Sequence, residues 1–273
     1  MKINYTNTTS TIGVQRLETL YLIEVSLGDI YIPFVFDTGA TMSLMNQTTA
    51  TRFKAIPDSE TITGGGTAGR SLSANTAIIP VIQIGEATIE DLRVVVVDDK
   101  QLDFGETENG NQLIINGFLG WDIIQHFKWQ YNKNDKCLNM TKSIKEQVTT
   151  NLDDWDNMPI LHVLLNEKDE LFGIDTGNTE SILGERMYHT LSNSSESTDV
   201  LTGVDGINEE TVRIAEALSF SINGKTVILK QVSAINRQVF PTSNARINGL
   251  LGADIIDGRS WTLDYGNRIF NIS

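Results

Sequence analysis

Short apolar and β-branched runs separated by turn residues follow one another along most of the chain. Residues 20–26 and 30–36 are two such runs around Gly28 and Asp29, a pattern typical of a β-hairpin. The same pattern predicts strands at residues 77–84, 87–97, 160–165, 171–174, 217–222 and 226–234. Helix signals are confined to residues 122–127 and 254–257. The pattern predicts an all-β fold.

The chain also repeats itself. Residues 36–45 read FDTGATMSLM and residues 174–183 read IDTGNTESIL, with five of ten positions identical. Residues 115–124 (INGFLGWDII) and 247–256 (INGLLGADII) agree at eight of ten positions. Because the two pairs keep their order at offsets of 138 and 132 residues, one structural unit is used twice. We therefore predict an N-terminal lobe over residues 1–145, a polar linker over residues 146–157 and a C-terminal lobe over residues 158–273.

Composition excludes several classes of partner. The chain of 273 residues carries 35 acidic and 21 basic side chains, a net charge of −14 that repels phosphate backbones and anionic lipids. We expect neither nucleic acid nor a membrane as a partner. The single cysteine cannot form an intramolecular disulfide, and the polar amino terminus lacks the apolar stretch of a secretion signal. Both features favour a cytoplasmic location.

Other chemistries lack the residues they need. The three histidines, His126, His162 and His189, stand far apart without cysteine or carboxylate at ligand spacing, so no metal site is expected. Residues 64–69 match the glycine pattern of dinucleotide sites, but no βαβ unit surrounds them, and no cofactor is expected.

The repeated Asp-Thr-Gly triplet carries the candidate chemistry. A single triplet after a strand is an ordinary turn, but two copies, each followed by an Asn-Gly-x-Leu-Gly motif, favour a shared site. This arrangement resembles the aspartic proteases over residues 20–273. The resemblance implies a bilobal all-β fold with pseudo-two-fold symmetry and short helices after two threaded loops. It also implies that Asp37 and Asp175 form a catalytic dyad, because two carboxyls in contact share one proton.

The resemblance assigns supporting roles to the neighbouring residues. It implies that Thr38 and Thr176 bond across the lobe interface, and that glycines leave room around the dyad. These glycines are Gly39 and Gly177 in the signatures and Gly120 and Gly252 in the threaded loops. Ala40 and Asn178 follow the triplets at positions where pepsin-like enzymes place a hydroxyl residue. The missing hydroxyl predicts activity nearer neutral pH than in gastric-type enzymes.

Two glycine-containing segments occupy the positions of covering hairpins. The first contains Thr63, Gly64, Gly65, Gly66 and Thr67, and the second and weaker one covers residues 201–207. With no disulfide and no tyrosine between residues 61 and 73, the chain resembles two fused retropepsin units rather than a pepsin. Since both halves lie in one chain, we expect a monomer acting on a peptide or protein substrate.

Three functions stay open at this point. The first is an aspartic endopeptidase that activates a water between two carboxylates, and the second is a catalytically inactive peptide-binding module on the same scaffold. The third is a glycosidase, whose two acids need a wider gap of about 5–9.5 Å. Asp122 and Asp254, which are also repeated, are interpreted as helix caps.

Overall fold

The chain folds into β-structure almost throughout. The computed structural model describes residues 1–5, 9–106, 110, 112–153, 157–192, 194–239 and 246–273. Strands contain 60% of the described residues and helices 10%, so the predicted all-β fold is confirmed. The strands of the first half are β1 (Lys2–Tyr5), β2 (Ser10–Leu17), β3 (Leu20–Leu27), β4 (Ile30–Phe36), β5 (Leu44–Asn46), β6 (Ile56–Gly65), β7 (Ser71–Ile84), β8 (Ala87–Val97), β9 (Asp103–Glu106), β10 (Gln112–Ile114), β11 (Gly117–Leu119), β12 (Phe127–Asn132) and β13 (Cys137–Lys142).

The remaining strands and the helices follow in chain order. The strands are β14 (Ile160–Leu165), β15 (Lys168–Ile174), β16 (Ile182–Leu183), β17 (Ser194–Gly203), β18 (Gly206–Ile222), β19 (Lys225–Ile235), β20 (Ile247–Leu251), β21 (Trp261–Asp264) and β22 (Ile269–Ile272). The α-helices are α1 (Gln47–Arg52), α2 (Trp121–Ile124) and α3 (Glu185–Thr190), and the 3-10 helices are Asp99–Leu102, Ala253–Ile255 and Tyr265–Asn267.

The two halves follow the same strand path. The first sheet contains the order β4-β11-β5-β8-β7-β6, and the second is ordered β14-β15-β20-β16-β19-β18-β17. In the first sheet β11 runs parallel to β4 and antiparallel to β5, and in the second β20 runs parallel to β15 and antiparallel to β16. The two halves therefore share one strand topology.

The carboxyl-terminal strands join the sheet of the first half. β21 pairs with β12 and with β22, which extends the first sheet through β13 and β2 to β3. Buried aromatic rings fill this region, with Phe36 against both Trp129 and Trp261. The end of the chain thus packs against the strand that precedes the first Asp-Thr-Gly. The lobe and linker boundaries stay a prediction.

Local sequence signals identified the hairpins better than the helices. Gly28 and Asn166 take positive φ values in the turns that join β3 to β4 and β14 to β15, as the turn residues predict. The predicted helices are shorter than expected, at α2 and at the 3-10 turn Ala253–Ile255. α1 was not predicted because its sequence, QTTATR, has no apolar periodicity. Among the described residues, no helix is long and apolar enough to cross a bilayer.

Candidate active site

Each Asp-Thr-Gly loop begins where a buried strand ends. Asp37 follows β4 and Asp175 follows β15. The backbone N–H of Asp37 donates to the Leu119 carbonyl at 2.9 Å, and that of Asp175 donates to the Leu251 carbonyl at 2.9 Å. Strands β11 and β20 therefore hold the backbones of the two aspartates in place, and the same hydrogen bond occurs in both halves.

The two loops bring their carboxyl groups into contact. The carboxyls of Asp37 and Asp175 are close enough for each to shift the pKa of the other. A β-carbon added to Gly39 would overlap the Asp175 carboxyl, and one added to Gly177 would overlap the Asp37 carboxyl. Both positions therefore need glycine, because each carboxyl lies directly over the opposite loop. This contact leaves no room for the wider gap of a glycosidase.

The surroundings of the two carboxyls differ. Burial raises the pKa of Asp37, but the backbone N–H groups of Gly39 and Ala40 donate to its Oδ1 at 2.8 and 3.1 Å and stabilise the charged form. Burial raises the pKa of Asp175 well above its usual value, and the neighbouring charge of Asp37 raises it further. Asp175 receives the Gly177 N–H at a longer 3.2 Å. Asp37 therefore has more backbone donors to stabilise its charged form than Asp175 has.

The two threonines join the loops through a reciprocal set of hydrogen bonds. Thr38 Oγ1 donates to the Ile174 carbonyl and Thr176 Oγ1 donates to the Phe36 carbonyl, each at 2.6 Å. Each hydroxyl oxygen also accepts the backbone N–H of the other threonine at 3.1 Å. Both threonines are buried. These bonds cross from one half of the chain to the other.

The threaded-loop glycines lie against the far ends of the signatures. A β-carbon on Gly120 would stand 2.6 Å from the Ser43 nitrogen, and one on Gly252 would stand 2.5 Å from the Glu180 carbonyl. The residue after each of these glycines forms a hydrogen bond to the signature. The Trp121 N–H donates to the Ala40 carbonyl at 2.7 Å, and the Ala253 N–H donates to the Asn178 carbonyl at 2.8 Å. Ala40 and Asn178 thus anchor the threaded loops through their carbonyls.

The interpretation of Asp122 as a helix cap was wrong. The N-cap residue, which precedes α2, is Gly120, and it has no capping side chain. Asp122 Oδ1 instead accepts the N–H and the hydroxyl of Ser43 at 3.0 and 2.8 Å, and Ser43 Oγ accepts the Gly120 N–H at 3.0 Å. Asp254 makes the same bonds to Ser181, at 2.9 and 2.7 Å. These carboxylates connect each threaded loop to its signature.

We predict that Asp122 makes stability depend on pH. Burial raises its pKa to about 6, against the opposing hydrogen bonds from Ser43. The folded state therefore binds more protons than the unfolded state between about pH 4 and 6, and this contribution to stability is lost as pH rises through about 6. Asp122→Asn, which keeps the Oδ1 acceptor, removes this dependence. Urea unfolding of both proteins from pH 4 to 7 measures it, with a difference of up to about 3 kcal/mol. Identical pH slopes would contradict the prediction.

Residues 23–123 match the family model described as aspartyl protease. The matched segment contains the Asp37 signature and the Gly120 threaded loop, two elements that meet in the geometry above. No curated protein matches the chain. The family match supports an aspartic protease family and a peptidase-type hydrolase.

Above the dyad lies a cleft of about 930 Å³ with apolar walls from both halves. Phe118 and Leu250 occupy the same position of the repeated motif, and each lies in a buried apolar cluster of its own half. The further apolar lining residues include Leu44, Ile62, Leu72, Phe104, Met158 and Val239. Phe118 and Leu250 could have been recognised from the sequence, because they stand at the one position where the repeated segments INGFLG and INGLLG differ. Nothing local marked Phe104 or Met158, which reach the cleft only through the tertiary fold.

Two β-hairpins cover this cleft. The first flap consists of β6, β7 and the tip at residues 66–70, and the second flap consists of β17, β18 and the tip at residues 204–205. The predicted flap residues Thr63, Gly64, Gly65, Gly66 and Thr67 all line the cleft. Thr67 Oγ1 donates to Asn178 Oδ1 at 3.3 Å, so the first flap touches the second signature.

Chemically, the site can hold and exchange a proton. Its central groups are two neighbouring carboxyls, of which Asp37 receives two backbone N–H groups and Asp175 receives one. Among the described residues, no group of three or more His, Cys, Asp or Glu side chains is arranged to hold a metal ion.

Proposed function

We propose that the chain is an aspartic endopeptidase that hydrolyses peptide bonds with a water held between Asp37 and Asp175. The observation that carries this proposal is the pair of neighbouring carboxyls, each lying against the opposite Asp-Thr-Gly loop and both lining a cleft of about 930 Å³. The family match over residues 23–123 supports the peptidase class.

In the proposed reaction the dyad begins with one proton, on Asp175. Ionised Asp37 accepts a proton from the water as its oxygen bonds to the scissile carbonyl carbon. Asp175 gives its proton to the carbonyl oxygen, so the intermediate is a neutral gem-diol. Asp37 then protonates the departing nitrogen, Asp175 recovers a proton from one diol hydroxyl, and the C–N bond breaks. Both carboxyls return to their starting state without a covalent intermediate.

The proposed substrate is an extended peptide or protein segment. Strand-lined grooves bind peptides through main-chain hydrogen bonds. The apolar walls of the cleft at Phe118 and Leu250 accept apolar side chains on either side of the scissile bond. Since Asp37 and Asp175 lie in one chain, a second copy is not needed, and we propose a monomer built as two fused retropepsin-type halves. A cytoplasmic location is part of the same proposal.

Cleavage of a peptide library in H₂¹⁸O tests this function. We expect the wild-type protein to cut between apolar residues, with one ¹⁸O in each new carboxyl terminus, and Asp37→Asn to leave the library intact. Binding of library peptides by the wild-type protein without any cleavage would contradict the endopeptidase and favour a peptide-binding module.

The pH dependence of turnover is a separate prediction. Only the singly protonated dyad is active, so the rate rises as the first proton leaves and falls as the second leaves. Burial raises the pKa of both aspartates, which moves both limbs of the profile toward neutral pH. We expect a bell-shaped kcat/KM profile whose maximum lies nearer neutral pH than that of gastric-type enzymes. A maximum only below about pH 3 would contradict it.

A further inference from the structure

The two flap tips meet, and the contact between them is asymmetric. Asp205, at the tip of the second flap, accepts the backbone N–H of Ala68 on Oδ1 at 3.2 Å and that of Arg70 on Oδ2 at 2.7 Å. Ala68 is fully buried although it lies at a hairpin tip. A single carboxylate of the second flap therefore receives two main-chain donors of the first flap.

A second contact holds the tip of the first flap. Arg237, which follows β19, donates from Nη2 to the Thr67 carbonyl at 2.9 Å. The same guanidinium pairs with Glu210 of β18 at 2.8 Å, so its position is fixed by the second half. The first flap tip is thus held on both sides, by a carboxylate on its N–H groups and by a guanidinium on a carbonyl.

The second flap is itself anchored. The Val204 side chain packs against the buried apolar cluster of the first half, and its carbonyl accepts Gln101 Nε2 at 3.2 Å. The first flap is less constrained, because Thr63, Gly64 and Gly65 are exposed and glycine permits wide backbone motion. The second flap is therefore suited to be a fixed seat and the first flap a moving cover.

We propose that Asp205 and Arg237 are positioning residues that seat the first flap across the dyad, so that only the first flap opens to admit substrate. The cleft beneath the seated flap measures about 930 Å³, a volume typical of occupied ligand sites. The seated state is therefore the one that encloses a bound peptide. The catalytic part of this inference rests on the proposed peptidase function, but the seating itself does not.

Hydrogen exchange tests the seating without any assay of catalysis. In Asp205→Asn one carboxylate oxygen, an acceptor, is replaced by an NH₂ donor that faces a backbone N–H of the first flap. Asparagine also suits the tight turn between Gly203 and Gly206. We expect the Ala68 and Arg70 amides to exchange about tenfold faster than in the wild-type protein, since hydrogen bonds to charged groups are lost. Asp29→Asn, at the exposed turn between β3 and β4, is the matched control and leaves these rates unchanged. Equal rates in Asp205→Asn and wild type would overturn the proposal.

Kinetics then separate seating from a merely local structural role. Because the seated flap aligns a bound peptide over the dyad during the reaction, we expect loss of the seating bonds to lower kcat about tenfold and to change KM by less than about twofold. Arg237→Gln is expected to act in the same direction, and Arg237→Lys, which keeps a donor for Thr67, to recover part of the loss. A rise in KM with unchanged kcat would overturn the proposal.

A disulfide offers a reversible version of the test. A β-carbon on Gly66 would stand 3.5 Å from the Asp205 β-carbon, within the range of about 3.5–4.5 Å for disulfides. In a Cys137→Ser background, Gly66→Cys with Asp205→Cys staples the first flap to its seat. We expect peptide turnover below about 5% when oxidised and restored turnover in dithiothreitol, because entry requires opening. Unchanged turnover in the oxidised protein would overturn the moving-cover role.

Faster amide exchange in Asp205→Asn, in a protein that cuts no peptide, would support seating while the proposed function fails.

Discussion

Asp37→Asn and Asp175→Asn each lower peptide turnover by about 10⁴-fold, at the upper end of what general acid–base groups contribute. Asp37→Asn removes the base that takes a proton from water. Asp175→Asn removes the acid that protonates the carbonyl oxygen, and its amide cannot supply that proton. The shapes of the side chains are preserved, so both variants fold like the wild type. Single-turnover cleavage of an apolar peptide measures the loss.

The control for this pair is a carboxylate outside the cleft. Asp91, exposed on β8, tolerates asparagine at its positive φ, so Asp91→Asn is expected to keep wild-type turnover. If Asp37→Asn or Asp175→Asn retains more than a tenth of wild-type turnover while bound peptide is still detected, the dyad assignment fails.

Thr38→Val and Thr176→Val each reduce the free energy of unfolding by about 3 kcal/mol. Valine has the same shape as threonine but neither donates to nor accepts from the backbone. Thr38→Val leaves the buried Ile174 carbonyl and the Thr176 N–H without their partners, at about 1–3 kcal/mol for each group. Because these bonds align the two aspartate loops, kcat falls as well. Urea denaturation and peptide turnover measure the two effects.

Thr38→Ser is the matched variant, because serine keeps the hydroxyl and loses only a methyl group. We expect it to stay within about 1 kcal/mol of the wild type. Valine and serine variants of equal stability would show that the reciprocal threonine bonds do not hold the halves together.

The parts of the site that sequence predicted are local and repeated. Asp37, Asp175 and their glycines lie in short motifs whose spacing survives in both halves, and the structure brings them together as the motif order implied. The hairpins were predictable because turn residues and strand patterns are short-range signals.

What sequence missed depends on long-range packing. Asp205 and Arg237 reach the first flap only when the two sheets are placed, and neither stands in a repeated motif. Asp122 has the residue type and position of a helix cap, but its carboxylate accepts a hydrogen bond from Ser43, which is 79 residues away. The pairing of β21 with β12 likewise joins residues more than 100 positions apart.

The central claim is that Asp37 and Asp175 hold one proton between them. Carboxyl ¹³C NMR of the protein labelled at aspartate, assigned with Asp37→Asn and Asp175→Asn, measures this directly. We expect two well-separated titration steps, with one carboxyl ionised and the other neutral at every pH between them. Both carboxyls ionised at pH 6, each titrating near the ordinary value of about 3.9, would contradict it.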